Sequence, residues 1–235
     1  MKINCVWEHN SNDSILYATD YVGAFTRGAS KEEAVLKMPI EIRRFQLWQN
    51  QDPFDNYEID IIQEKESYLQ IKDADSDVLF VTEEKPLTAE EYQYLKSLAL
   101  KSAEDFYKLY NSFPDKNRSV LPSRKTFYGD VPRTAEEMYQ HTKNVNEYYF
   151  SEIGIDADNE GTIVTCRARG FEALEKTPDF LSMKAVAGSY DELWSVRKVL
   201  RRFIWHDRIH AKAMYRMGVK TFSEDEIPDV FGFGR

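Results

Sequence analysis

The sequence predicts two parts of different class: a small α+β domain over residues 1–85 and an all-α four-helix bundle over residues 86–220, followed by a tail over 221–235. Three observations predict it. Short β-type runs separated by turn clusters fill the first part. From Pro86 onward the apolar period becomes that of a helix. Capping boxes, in which a Ser or Thr and a Glu three residues later satisfy each other's free N–H groups, stand at Ser30/Glu33, Thr88/Glu91, Thr134/Glu137 and Ser189/Glu192.

In the first part the β-type runs are Ile3–Trp7, Ile15–Ala18, Tyr57–Ile62 and Val78–Val81. Turn clusters such as His9–Ser14 and Asp73–Asp77 separate them. One helix interrupts them, opened by Ser30, with Ala34, Met38, Ile42 and Phe45 at helical spacing. Pro39 falls inside it and is expected to kink or shorten it.

In the second part, Thr88 opens a helix with the stripe Leu95, Leu98, Ser102, Phe106, Leu109 and Phe113, stopped by Pro114. Thr134 opens another, expected to run to about Ile153 and end at Gly154. A third spans about Asn159 to Lys176, with Val164, Ala168, Phe171 and Leu174 inward; Gly161, Thr162 and Thr165 are poor helix formers at its start. Ser189 opens the longest, to about Met217, with Gly218 as its stop. Four helices with segregated apolar stripes predict a bundle.

The connection Pro114–Arg133 is long for a bundle loop and carries Lys116, Arg118, Arg124, Lys125 and Arg133 against Asp115 and Asp130. It reads either as a solvated crossover or as an anion-binding flap over one end of the bundle, with Arg118, Arg124 and Lys125 as the cofactor-holding cations. The tail, with Phe222, Phe231 and Phe233, either docks on the body or a second subunit or frays.

Composition narrows the function classes. Of 235 residues, 42% are hydrophobic and 30% charged, the balance of a soluble globular chain. The formal net charge of −9 argues against a general nucleic-acid binder, although a local basic patch is compatible with it. The sequence has no apolar run long enough to span a membrane, and the opening MKINCVWEHN does not read as a signal peptide, so a cytoplasmic protein is expected. Cys5 and Cys166 lie far apart, and two free thiols are expected over one long-range disulfide. Cys166 reads as a packed thiol rather than a nucleophile.

The histidines carry the strongest chemical signal. The inward stripe of the last helix reads Val199, Phe203, His206, His210, Met214, Met217. His206 and His210 are one turn apart, about 6 Å along the axis and about 40° around it, a spacing at which two imidazoles can share one metal ion. Arg197, Lys198, Arg201, Arg202 and Arg208 read as the outward face. His141 points inward from the helix opened by Thr134, beside Met138, Val145 and Tyr148. Three inward histidines can supply three nitrogen ligands and leave positions open for water or substrate; they can equally be hydrogen-bonded core residues. Asp207, about 100° round the helix, reads as a surface or supporting group.

The segment Leu193–His210, with its tryptophan, arginine-rich stretch and histidine–acid–x–x–histidine ending, resembles the last helix of the DinB-like bundle family. The segment Thr134–Phe150 is similar to that family's second helix. Leu193-Trp194-Ser195 departs from the usual tryptophan–serine–threonine phrase without touching the ligands. The resemblance covers Pro86 to about Lys220. It implies up-down-down-up connectivity, frequent homodimers, and a divalent ion, nickel or zinc, on His141, His206 and His210. Characterised members include small-thiol S-transferases and isomerases. Val22–Ala34, with its glycine–turn–Ser–x–x–Glu entry into a helix, resembles the HicB-like antitoxin domain. No basic DNA-binding appendage follows it, so an interaction or substrate-covering module is expected there.

Three functions stay open: a metal-dependent enzyme acting on a small-molecule substrate, with thiol transfer slightly ahead of hydrolysis; a non-catalytic metal or ligand binder; and a regulatory, toxin–antitoxin-type interaction protein acting through residues 1–85.

Overall fold

The computed structural model describes residues 1–54, 56–126 and 129–234. It is mixed α+β, with a β-sheet first and helices after it. Strands β1 (Lys2–His9), β2 (Ser14–Ala18) and β3 (Phe25–Gly28) form an antiparallel meander. Helix α1 (Lys31–Trp48) then crosses the sheet and brings β4 (Glu58–Glu66) parallel to β1, giving the order β3-β2-β1-β4. Ser30 caps α1 by accepting from Glu33 N–H, and Pro39 sits inside the helix without ending it.

Both faces of the sheet are covered at β2. Every residue of β2 is buried, so its alternating side chains serve two cores. Leu16 and Ala18 face α1 and the helices, while Ile15 and Tyr17 face a second cluster with Val78, Phe80 and Trp205. The strand expected at Val78–Val81 is absent. That segment lies across the sheet, and its backbone groups bond to side chains: Phe80 N–H donates to Glu83, Val81 N–H donates to Gln63, and Leu79 C=O accepts from Gln63.

Helix α2 (Ala89–Asn111) matches its predicted stripe and carries a complete Thr88/Glu91 capping box. The helix expected from Thr134 to Ile153 is instead two, α3 (Ala135–Lys143) and α4 (Val145–Ser151), broken at Asn144. At the break Asn159 Oδ1 accepts from Glu147 N–H, and Asn146 donates to Asp158 C=O and Cys166 C=O, so side-chain partners replace the helical ladder. Helix α5 (Ile163–Glu175) starts later than expected, capped by Thr162, with Gly161 left outside at φ +77°.

The last helix, α6 (Val196–Thr221), departs most from expectation. Its cap is Ser195, which accepts from Lys198 N–H, and the Ser189/Glu192 box does not form. Glu192 instead pairs with Lys198 and Arg202. Gly218 does not stop the helix. It lies within it because a Cβ there would meet the Phe113 ring at 2.7 Å. The supposed outward face is also buried: Lys198, Arg201, Arg202 and Arg208 are all interior. Arg201 pairs with Glu83 and Arg208 with Glu41, both from the first part of the chain. Arg197, half-buried, bonds to Lys85 C=O, Pro86 C=O and Glu91. The first half of α6 is therefore wrapped on all sides, with the first part of the chain against one face and the other helices against the rest, while Ala213, Arg216 and Lys220 of its second half are exposed.

Asp207 is likewise not at the surface. It is fully buried, bound by both Arg167 nitrogens and by Ser102. The tail docks on the body: Phe231 is buried and stacks on Trp48 with ring centroids 5.2 Å apart. Arg235 lies outside the described residues. Cys5 and Cys166 are separate buried thiols. No described helix is long and apolar enough to cross a membrane.

Candidate metal centre

Helices α3 and α6 bring the three predicted histidines together. His141 comes from α3, and His206 and His210 from successive turns of α6. Their ring centroids are 5.2 Å (141–206), 4.6 Å (141–210) and 4.4 Å (206–210) apart. One ring nitrogen from each lies within 4.8 Å of the other two, close enough for the three to hold one metal ion. Two nitrogens on one tetrahedral ion lie about 3.4 Å apart, given bonds of about 2.0–2.1 Å, so the rings turn inward to complete the set.

The electrostatics favour ligation. Burial pushes all three imidazoles below the ordinary histidine range, His210 to about 3 and His206 well down. At neutral pH they are uncharged, the form that donates a lone pair to a metal. His206 is 7% exposed, and its Nδ1 has no hydrogen-bond partner. A hydrogen-bonded core histidine would usually satisfy that atom, and left without a partner it can serve as a ligand, so the residues present can hold a metal ion.

The histidines lie in a cleft of about 730 Å³ between the sheet with α1 on one side and α3 and α6 on the other. Tyr148, Tyr149, Trp194, Arg202 and Trp205 line it beside them. The Tyr149 ring meets His206 edge-on at 5.9 Å. Its hydroxyl makes no hydrogen bond among the described residues, and burial pushes its pKa up to about 12, so it stays a proton donor. Burial raises Tyr148 in the same direction.

The predicted basic flap separates into unlike parts. Arg124 lines the cleft and pairs with Asp73 at 3.2 Å. Arg118 lies over the Phe222 ring instead, and Lys125 is exposed with Asp130 3.9 Å away; neither lines the cleft. Phe127 and Tyr128 of this connection lie outside the described residues. Glu137, a candidate base by proximity in sequence, is occupied by Arg133 and Thr134 N–H groups at the start of α3. Sequence reasoning expected an interaction or covering module in the first part of the chain but named none of the residues that wall the cleft, from Phe25 to Arg27 and from Lys72 to Ser76. The available signal was α6 itself: Leu200, Ile204 and Trp205 lie off the histidine stripe and need a second apolar partner.

No protein-family model, curated protein or solved structure matches the chain.

Proposed function

We propose that this is a divalent-metal-dependent cytoplasmic enzyme acting on a small molecule, a thiol transferase ahead of a hydrolase, with His141, His206 and His210 as ligands to nickel or zinc. In this reading α2, α3 with α4, α5 and α6 form a DinB-like bundle, and the first part is a HicB-like module adapted to cover the site. The observation that carries it is the set of three uncharged imidazoles converging inside a cleft, one with an orphaned nitrogen. A divalent ion held there supplies Lewis acidity that lowers the pKa of a thiol or water. The chain's own groups do the rest. Trp194 and Trp205 give the cleft apolar walls that limit water, and Tyr149, which lines the cleft with its ring against His206, is the candidate to give a proton to a leaving group. Glu137 and Asp207 are both engaged in hydrogen bonds and neither is free to act as a base, which suits a thiol more than water, because thiols start near pKa 8.5.

The test is metal analysis of protein purified without a histidine tag, followed by titration of the cobalt-loaded form with small thiols. One ion per chain and a thiolate charge-transfer band, both lost in His206→Ala and His210→Ala, are expected. Metal-dependent turnover of activated esters without any band shifts the reaction to hydrolysis. Absence of stoichiometric metal after loading refutes the centre.

A further inference from the structure

The cleft carries a charge opposite to that of the whole chain. Among its described lining residues eight side chains are basic and four acidic, in a protein of formal net charge −9. These cations come from both parts of the chain, with Lys37 on α1, Lys72 in the turn after β4, and Lys212 and Arg216 on α6. Lys72 and Arg216 are exposed, and neither side chain makes a hydrogen bond or ion pair among the described residues. A concave site whose net charge is opposite to that of the molecule concentrates counter-ions at its mouth.

A second observation is independent of the charge balance. Trp194 Nε1, Trp205 Nε1 and Arg202 Nε are buried N–H donors without acceptors, and all three residues line the cleft. Each residue is more than nine-tenths buried. The Arg202 guanidinium lies over both indoles, 5.5 Å from the Trp194 ring centroid and 5.2 Å from that of Trp205. Buried donors are almost always satisfied, so three unsatisfied ones in one wall add uncompensated positive dipole to it and favour negative charge in the cleft. Arg202 already has Glu192 as countercharge, so an oxyanion would find its charge-assisted partners in Lys72 and Arg216.

We propose that the cleft binds a small molecule through carboxylate or phosphate groups, held between Lys72 of the first part and Arg216 of α6, beside the histidines. The inference rests on the reading of the cleft as the substrate site of the metal centre, but binding of the anion does not require the ion. It assigns the first part of the chain a share in substrate selection.

The experiment is calorimetric titration of the metal-free full-length protein with citrate and with inorganic pyrophosphate, which separates carboxylate from phosphate recognition. Zinc uptake is measured on the same preparation. Saturable binding of at least one anion is expected, weakened roughly tenfold or more in Lys72→Glu/Arg216→Glu, since each lost charge-assisted bond is worth about that much. Lys184→Glu, exposed and outside the cleft, should bind as the parent does. No saturable binding, or equal loss in Lys184→Glu, overturns the proposal. So does a single-stranded oligonucleotide that binds more tightly than either small anion. Anion binding without zinc uptake refutes the metal reading alone, and zinc uptake without anion binding refutes this inference alone.

Discussion

Replacing Asp207 tests whether the group beside His206 is scaffold or ligand. Asp207 and Arg167 are both completely buried, and Asp207 also accepts from Ser102. Without the carboxylate, the guanidinium keeps one neutral acceptor, Ala99 C=O at 3.4 Å, and its Nε already has none. Stacking over the Phe203 ring at 4.2 Å does not replace a countercharge. Breaking one side of a buried pair costs about 3–5 kcal/mol, and removing both with matched apolar volume is often near neutral. In a chain of this size each kcal/mol moves the melting point by about 2–4 °C, so Asp207→Ala should melt roughly 6–20 °C lower. Arg167→Met/Asp207→Leu should recover most of that loss. Thermal and urea unfolding followed by circular dichroism measure both, and metal analysis of Asp207→Asn supplies the second readout. Metal content equal to the parent's is expected there, because Asp207 faces Arg167 and not the histidines. A loss below about 1 kcal/mol in Asp207→Ala, or a double variant no better than the single one, would refute the reasoning.

Gly23 sits at φ +100°, and a Cβ there would meet Ile204 Cγ2 at 2.3 Å, so Gly23→Ala should cost about 2–4 kcal/mol in urea unfolding by combining strain with overpacking. Phe231→Ala removes the ring stacked on Trp48 and should cost about 3–5 kcal/mol, with trypsin then releasing the tail early; a frayed tail would show neither effect. Burial pushes the Lys198 ammonium down to about 8, against 10.5 in the unfolded chain. Between those values the unfolded state binds more protons, so the Lys198 contribution to stability rises with pH. Relative to Lys198→Met, the parent should gain about 2 kcal/mol between pH 7.5 and 9.5, from roughly 1.4 kcal/mol per unit; parallel pH profiles would contradict this.

What was legible in the sequence is what local spacing encodes. Thr88 and Thr134 cap as read, because a capping box closes within four residues. His206 and His210 share a face because the helical period puts them there, and His141 joins them because Met138 and His141 lie on one side of α3. Periodicity cannot tell a charge in water from a charge facing its partner. Arg201, Arg202 and Arg208 therefore read as solvated, although Glu83, Glu192 and Glu41 wait for them elsewhere in the chain. The same limit hid Asp207, whose partner Arg167 is on α5. Ser189 and Glu192 match a capping box in spacing alone; the cap that forms, Ser195, leaves Glu192 free to neutralise two buried cations. The wall from Lys72 to Ser76 depends on how the segment after β4 lies over the sheet, which no short-range pattern records.

The position of α6 has a consequence for how the chain is made. Its partners in the first part are complete long before it exists: Glu83 leaves the ribosome 118 residues ahead of Arg201, and Glu41 leaves 167 ahead of Arg208. At about 5–20 residues per second, the sheet waits roughly 6–24 s with Val6, Ile15 and Tyr17 uncovered by Trp205 and with Glu83 unpaired. The amino-terminal part thus emerges as a template completed from the far end of the message. A nascent chain stalled before residue 196 should bind holdase chaperones that release once α6 has cleared the exit tunnel.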